Sequence, residues 1–197
     1  MKTMKVELTF TTEVLGTSAS NPDIHAAYIA SKAPDAHKLE EEVAALGVEE
    51  VIEKAMTIFP RNEDGVPILY DYQVRGFFKA KCSALRKVPG TKSSKCKAFK
   101  KQIDELIFVQ PRTIPLIFEG NVGNCQRPLR AETPQGARVA LANSETVPAG
   151  TTCEFEVVCM LDEDMDMVRE WLDHGQWNGM CQWRNGGKGR FTWEEIQ

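Results

Sequence analysis

The stretch Lys5-Val6-Glu7-Leu8-Thr9-Phe10-Thr11-Thr12-Glu13-Val14 alternates between apolar and polar side chains and is rich in β-branched residues. A period of two predicts a β-strand that turns one face toward a core. Further along the chain, apolar residues at helical spacing predict a helix over residues 72–87, which Pro89-Gly90 ends. A second helix is predicted over residues 162–173, where acidic residues in the first turn suit the helix dipole.

Further strands complete this pattern. Residues 103–109 and 113–118 are predicted to pair around Gln110-Pro111-Arg112, and strands are also predicted at residues 137–142 and 152–160. The resulting order is mostly strand, helix, strand, strand, helix, strand, and it predicts an α+β fold. We expect a ferredoxin-like (RRM-like) antiparallel sheet with helices on one face.

The sequence contains no internal repeat and no recognisable linker, so a single domain over residues 1–197 is predicted. A split run of apolar residues predicts a helical insertion at about residues 36–58. A polar, glycine-containing stretch predicts a basic loop at about residues 89–101, and it is expected to be mobile around residues 91–95.

The end of the chain carries a glycine-rich stretch, Met180-Cys181-Gln182-Trp183-Arg184-Asn185-Gly186-Gly187-Lys188-Gly189-Arg190-Phe191-Thr192-Trp193. Three glycines and three cations fall between Arg184 and Arg190, and the alternation on both sides predicts a C-terminal β-hairpin. Backbone amides in such a turn can hold an anion, and the cations add positive charge. A tight hairpin with merely solvated side chains is the competing interpretation.

Charge is distributed unevenly along the chain. The protein has 24 Lys and Arg against 28 Asp and Glu, a net charge of −4, which argues against a surface that coats duplex DNA. Ten Lys or Arg residues nevertheless fall between Arg75 and Lys101 with no Asp or Glu among them. This block is either a solvated helix face followed by a loop or a surface that contacts phosphates.

The six cysteines show no Cys-x-x-Cys spacing and only three histidines are present, so neither a metal site nor a cofactor is predicted. The first residues mix charged and apolar side chains, unlike a signal peptide. No apolar run approaches 18 residues, and no membrane partner is expected. We therefore expect a cytoplasmic protein with free thiols.

Several separated motifs occur in a recognisable order. They are Val14-Leu15-Gly16-Thr17-Ser18, Asp64-Gly65-Val66-Pro67-Ile68-Leu69-Tyr70 leading into Val74-Arg75-Gly76-Phe77-Phe78-Lys79, Val147-Pro148-Ala149-Gly150-Thr151, and Gly186-Gly187-Lys188-Gly189-Arg190. Together they resemble the RAMP superfamily of CRISPR effector proteins, and they are most similar to the backbone subunits that coat guide RNA. The resemblance implies a helix that touches the RNA backbone and a glycine-rich loop near the C-terminus.

The chain also departs from the family pattern. The usual Gly-Ser-Ser turn is replaced by the bulkier Asp71-Tyr72-Gln73, whereas the family's Lys-Gly pair falls at Arg75-Gly76. The chain is short for a backbone subunit, with little room for a thumb insertion. A solitary, phage-encoded member that acts against defence systems, in a host cytoplasm, is one hypothesis.

The preferred functional prediction is non-catalytic binding of single-stranded nucleic acid, with RNA favoured over DNA. Trp183, Phe191 or Trp193 could stack a base. The predicted binding residues are Arg75, Lys79, Arg86, Lys87, Arg184, Gly186, Gly187, Lys188 and Arg190.

Other functions stay open at this point. The chain could be a protein–protein module that self-assembles or acts as a decoy or inhibitor of a CRISPR-type defence complex, using the acidic residues 40–42 and 162–166. It could be an endoribonuclease, because the resemblance implies relatives that cut RNA with a histidine after the first strand or an aspartate in a loop there, and a histidine can move protons near neutral pH. The candidate catalytic residues are His25, His37, Asp23 and Asp35. Sequestration of a nucleotide ranks last because the chain has no phosphate-loop motif.

Overall fold

The structure is a computed structural model that describes residues 1–19, 56–133 and 136–197. The chain forms two compact units: the first comprises Met1–Val14, Pro60–Asn121 and Val147–Gln197, and the second comprises Leu15–Phe59 and Val122–Thr146. The predicted helical insertion lies mostly outside the described residues. The single domain over residues 1–197 stays a prediction.

The described chain combines helices with mainly antiparallel sheets, which confirms the predicted α+β class. In chain order the elements are β1 (Lys2–Phe10), β2 (Val14–Leu15), β3 (Ser18–Ala19), β4 (Thr57–Ile58), β5 (Ile68–Tyr70), α1 (Asp71–Leu85), α2 (Phe99–Leu106), β6 (Ile107–Gln110), β7 (Thr113–Pro115), β8 (Gly123–Thr133), β9 (Gly136–Val147), β10 (Thr152–Cys159), α3 (Asp162–Asp173) and β11 (Phe191–Ile196).

The first unit is built on a four-stranded antiparallel sheet in the order β11-β1-β10-β6. Strand β1 is central, and the alternation that predicted it places Met4, Val6, Leu8 and Phe10 in the core, each at most 2% exposed. Helix α1 packs on this same face, because the Phe77 ring lies 5.2 Å from that of Phe191, which meets Phe10 edge-on.

Helices α1 and α3 confirm the sequence interpretation, and α3 begins and ends where it was predicted. At the start of α1 the Tyr70 amide donates to the Gln73 side chain at 2.6 Å, which satisfies one of the amides that a helix N-terminus leaves unpaired. The two helices meet where the Phe78 and Trp171 rings lie 5.5 Å apart. Trp171 is fully buried, so this contact anchors α3 in the core.

The predicted pairing of residues 103–109 with residues 113–118 is wrong. Residues 99–106 form α2, β6 pairs with β10, and β7 pairs with β5. The apolar residues Phe99 and Ile103 are four apart and bury one face of a helix, whereas Ile107 and Val109 bury one face of a strand. The helical spacing of apolar residues changes to the strand spacing with no turn residue between them. The sequence alone therefore suggests that residues 103–109 form a single strand.

The second sheet contains β2, β9, β4 and β3 in that order, and β8 pairs with β9 as a long antiparallel ladder. The strand predicted at residues 137–142 forms part of β9. Gly16 is required here because a Cβ at this position would lie 2.4 Å from the Ile58 carbonyl carbon.

Candidate nucleic-acid interface

The glycine loop, residues 179–190, lies beside the end of β1 in the first unit. The Met180 amide donates to the Gly189 carbonyl at 3.0 Å, and the Gly189 amide donates to the Glu13 carbonyl at 2.8 Å. Arg184–Gly186 form a 3-10 turn, and Cys181 and Trp183 have φ angles of 65° and 52°. The first strand of the predicted hairpin is therefore not formed, since these left-handed conformations interrupt it. Strand β11 pairs with β1 instead.

The glycines of this loop are explained by contacts within the chain. A Cβ on Gly186 would lie 2.5 Å from Nε1 of the Trp183 ring, and Gly189 has a φ of 65° with its Cβ position 2.2 Å from the Met180 oxygen. A side chain is excluded at both positions by neighbours in the fold. The loop needs its glycines to fold, whether or not it holds an anion.

The three loop cations have different surroundings. Lys188 pairs with the Glu13 carboxylate at 2.8 Å. Arg190 is half-buried, its backbone amide donates to Thr12 Oγ1, and its Nε is buried without a partner. Arg184 is exposed, and no carboxylate of the described chain pairs with it. Arg184 is therefore the loop cation best placed to meet an external anion.

Two predicted cations on α1 are held by acidic neighbours. Arg75 pairs with Asp71 at 2.9 Å, and Lys79 pairs with Asp104 at 2.5 Å. Asp71 also accepts from Arg112 at 3.0 Å, and the Arg112 guanidinium lies over the stacked Tyr70 and Tyr72 rings. These partners lower the net charge that α1 presents to a polyanion.

The sequence analysis counted Lys81 among the basic residues but did not assign it to the site; it joins α1 to Asn178, the residue before the glycine loop. Lys81 is only 3% exposed, its Nζ donates to Asn178 Oδ1, and it lies 4.9 Å above the Phe77 ring. Burial, together with the nearby Arg184 charge, lowers the pKa of Lys81 to about 8. Its spacing of four from Phe77 was the available signal, because it places Lys81 on the apolar face of the helix.

The basic segment, residues 86–101, is more ordered than predicted. It contains a 3-10 turn at Lys92–Lys95 and the first residues of α2. The Glu170 carboxylate of α3 accepts from the Lys92 amide at 2.7 Å and from the Ser93 hydroxyl at 2.5 Å. Ser93 is fully buried and also accepts from the Trp171 indole at 2.8 Å. The turn is thus fixed to the core at its first residues.

The cations of this segment are mostly exposed. Lys92 approaches Asp166 at 3.7 Å and Lys101 approaches Glu105 at 4.0 Å, distances at which exposed pairs contribute little. No carboxylate within the described ranges pairs with the other cations, namely Arg86, Lys87, Lys95, Lys97 and Lys100. A cavity of about 660 Å³ lies between the segment and α3, with Lys95 and Lys97 on one side and Glu163 on the other.

The sheet face opposite the helices is acidic. Glu7 on β1 lies directly across from Glu154 on β10 and from Glu194 on β11. Lys5 pairs with Glu154 at 3.0 Å, and Glu156 adds a further carboxylate. This row of carboxylates repels a polyanion from that face of the sheet.

The structure does not describe the positions of the four candidate catalytic residues. His25, His37, Asp23 and Asp35 lie outside the described residues. No cluster of three or more metal-ligating side chains occurs in the described part of the chain. Among the helices of that part, none is long and apolar enough to cross a membrane.

Comparison with known proteins finds similarity only at the level of structure. No protein-family model matches the sequence, and no curated protein matches it. A chain of the type III-B Cmr-β complex, solved by cryo-electron microscopy with cognate target RNA, superposes with a TM-score of 0.53 at 10% identity. The match covers 100% of this chain and 60% of that one. A chain of a type IV-B CRISPR complex gives 0.48 at 11% identity, covering 99% and 90%. At such identities, the Cmr-β match shows a shared fold.

Lys81 should make stability depend on pH between about 7.5 and 9. Its pKa in the folded protein is about 8 against 10.5 for an ordinary lysine, so above pH 8 the unfolded chain binds a proton that the folded chain has lost. The contribution of Lys81 to the free energy of unfolding therefore rises with pH between about 7.5 and 9. Urea unfolding at pH 7.5, 8.2 and 9 should show the wild type gaining stability relative to Lys81→Met.

Comparing the wild type with Lys81→Met is necessary because other groups make stability fall as the pH rises. Burial raises the pKa of the Cys82 and Cys159 thiols to about 12, so above pH 9 the unfolded chain loses protons first and stability falls. Both proteins share these thiols, and the difference between them reports Lys81 alone. Parallel stability curves for the two proteins would contradict the assignment.

Proposed function

We propose that this chain binds single-stranded RNA without cleaving it, as a RAMP-like protein whose first unit is ferredoxin-like. The observation that carries the proposal is the group of exposed, unpaired cations on the basic segment, whose 3-10 turn at Lys92–Lys95 is anchored to the core by Glu170 and Ser93. Lysines and arginines that neutralise phosphates release counterions, which favours binding. An anchored turn also loses little conformational freedom when it binds.

The strand order supports the ferredoxin-like description. The elements β1, α1, β6, β10, α3 and β11 follow one another in the order that defines the motif, and the sheet places β1 and β10 at its centre. This chain shares a fold with a chain of the Cmr-β complex, which was solved bound to cognate target RNA. That likeness favours a nucleic acid over the other ligands of the same charge.

The binding path should run along the exposed side of α1 into the basic segment. Gly76 lies on that side in mid-helix, and a Cβ there would meet nothing within 4 Å. From Gly76 to Arg86 the helix rises about 15 Å, which spans a few nucleotides of extended strand. The acidic sheet face leaves this helical side as the accessible one. Arg86 itself lies over the Phe99 ring at 5.3 Å, which orients its guanidinium.

The acidic segment of α3 does not favour the decoy alternative. Asp162 pairs with the chain's amino terminus at 3.2 Å, and Asp164 is fully buried, where it accepts from Gln102 at 2.6 Å. Asp166 approaches both Lys92 and Arg169 at 3.7 Å. Asp164 is thus engaged within the fold, and the exposed Asp162, Glu163 and Asp166 stand in the first two turns of α3, where negative charge suits the helix dipole.

A fluorescence-anisotropy titration tests the proposal. The probe is an unstructured, labelled 20-nucleotide RNA, titrated with protein at salt concentrations from 50 to 300 mM. Contacts to three to five phosphates should give a slope of log K against log salt of about −2 to −3.5. The same DNA sequence and a duplex RNA measure selectivity, and a denaturing gel of the incubated RNA reports cleavage. Absence of binding at 50 mM salt, or cutting of the probe, would overturn the proposal.

Replacing Gly76 by alanine should raise stability and lower RNA affinity. Glycine in an exposed helix interior costs up to about 1 kcal/mol relative to alanine, so the melting temperature should rise by about 2–4 °C. A methyl group that displaces one phosphate contact should weaken binding by up to about tenfold at 50 mM salt. Ser83→Ala, seven residues further along the same side of α1, is the matched control, because it introduces alanine on the path without adding an atom there. RNA affinity equal to that of the wild type would remove Gly76 from the binding path.

A further inference from the structure

Trp177 has no role in the core. It follows the 3-10 turn His174–Gln176 and is 68% exposed. A single exposed aromatic is ordinary on a protein surface. Trp177 differs because it lies beside the glycine loop, where cations without carboxylate partners are also found.

Hydrogen bonds hold the surroundings of Trp177 together. Its neighbour Asn178 donates through Nδ2 to Asn185 Oδ1 at 3.4 Å and accepts from Lys81 Nζ through Oδ1. Asn185 is in turn the neighbour of Arg184. Trp177 and Arg184 are each the chain neighbour of one of these two asparagines, so the backbones of the two residues lie in one small patch of the first unit.

The patch has positive charge that the fold does not balance. The buried Lys81 ammonium has an amide oxygen as its partner, and neither Lys81 nor Arg184 pairs with a carboxylate of the described chain. Their mutual repulsion contributes to the low pKa of Lys81. His174 Nδ1 is a further buried atom here without a partner. An anion next to Arg184 would relieve the repulsion and complete the charge balance.

Trp183 is engaged differently from Trp177. Its ring covers Gly186 at distances that leave no room for a Cβ, and Lys188 Nζ lies 6.0 Å from its centroid. Its φ of 52° further restricts how the side chain can be presented. Of the two tryptophans, Trp177 is the more exposed and is the one that offers a face to a ligand.

We propose that this patch binds one nucleotide unit of the RNA, with a phosphate on Arg184 and an unpaired base stacked on Trp177. Lys81 supports the phosphate through its charge and positions the patch through Asn178. The inference rests on the proposed function, because it assigns a base-stacking subsite to the same RNA. It also explains how a chain with a net negative charge could hold single-stranded RNA by base stacking in addition to contacts with the RNA phosphates.

The test compares Trp177→Ala and Trp177→Phe with Trp183→Ala, using the labelled 20-nucleotide RNA. Stacking on an aromatic ring predicts a loss of about 5- to 100-fold for Trp177→Ala, and Trp177→Phe should recover most of it. The salt slope should stay unchanged for Trp177→Ala and become shallower by about 0.7 for Arg184→Gln. On an abasic strand of equal length, Trp177→Ala should bind as the wild type does.

The outcomes separate this inference from the proposed function. If the wild type fails to bind RNA at 50 mM salt, the proposed function fails. If the wild type binds but Trp177→Ala binds equally well, or loses as much on the abasic strand, the stacking site is overturned while RNA binding stands. Because Trp177 is exposed, its variants should melt within about 1 °C of the wild type, since surface substitutions change stability little. Quenching of tryptophan fluorescence by RNA that is lost in Trp177→Phe gives a second measure of stacking.

Discussion

Replacing Lys87, Lys95 and Lys97 together by glutamine is expected to lower RNA affinity by about 10²- to 10³-fold at 50 mM salt. Each phosphate contact to a single strand contributes about 0.7 to the salt slope, equivalent to about tenfold in affinity at that concentration. The triple variant should therefore also make the slope shallower by about 2. Anisotropy titrations at four salt concentrations measure both quantities.

A control must remove the same charge from another part of the protein. Lys2, Lys5 and Arg61 lie outside the basic segment, and Lys5 belongs to the acidic sheet face. Their triple glutamine variant should lose less than about tenfold, through net charge alone, and keep its slope. Equal losses in the two variants would mean that binding follows net charge, and the basic segment would then have no special role.

The sequence predicted those elements whose signal is local. Strand β1 and helices α1 and α3 follow from apolar periodicity, since each buries one face along its whole length. The basic segment followed from composition. Its anchoring did not, because Glu170 lies more than 70 residues from Ser93 and no local pattern links them.

The candidate site was predicted less well for the same reason. Lys188 and Glu13 are 175 residues apart, and Lys79 meets Asp104 through the packing of α1 with α2. The identity of a cation indicates its charge, but only the fold shows whether a carboxylate already neutralises it. Lys81 illustrates the converse case, in which a cation at an apolar helix position lacks a carboxylate partner.

The contacts of the glycine loop also change the interpretation of its glycines. Its glycines suggest an anion-binding turn in the sequence, yet in the structure Gly179 and Gly189 allow two backbone segments to approach closely and Gly186 leaves room for the Trp183 ring. The proposed binding then depends on the side chains that the loop presents, Arg184 above all. Mutating a glycine should therefore test folding, and mutating Arg184 should test binding.

Gly179→Ala is expected to produce the largest loss of stability. A Cβ at this position would lie 1.8 Å from the Gly189 oxygen and 2.5 Å from the Arg190 nitrogen, both backbone atoms that no rotamer change can move. The same oxygen accepts from Met180, so relieving the clash also breaks that hydrogen bond. We expect a loss of about 3 kcal/mol, the upper end for overpacking, and a melting temperature lower by about 6–12 °C.

The matched control is Gly65→Ala, because Gly65 has a positive φ of 77° but open space around its Cβ position. It measures the cost of backbone strain alone, about 1 kcal/mol, whereas Gly179→Ala measures steric exclusion at a glycine with no positive φ. Thermal unfolding and urea titration of both variants give the two costs. If Gly179→Ala is no less stable than Gly65→Ala, the close approach of the loop's two backbone segments is wrong, and the placement of Arg184 beside Lys81 loses its support.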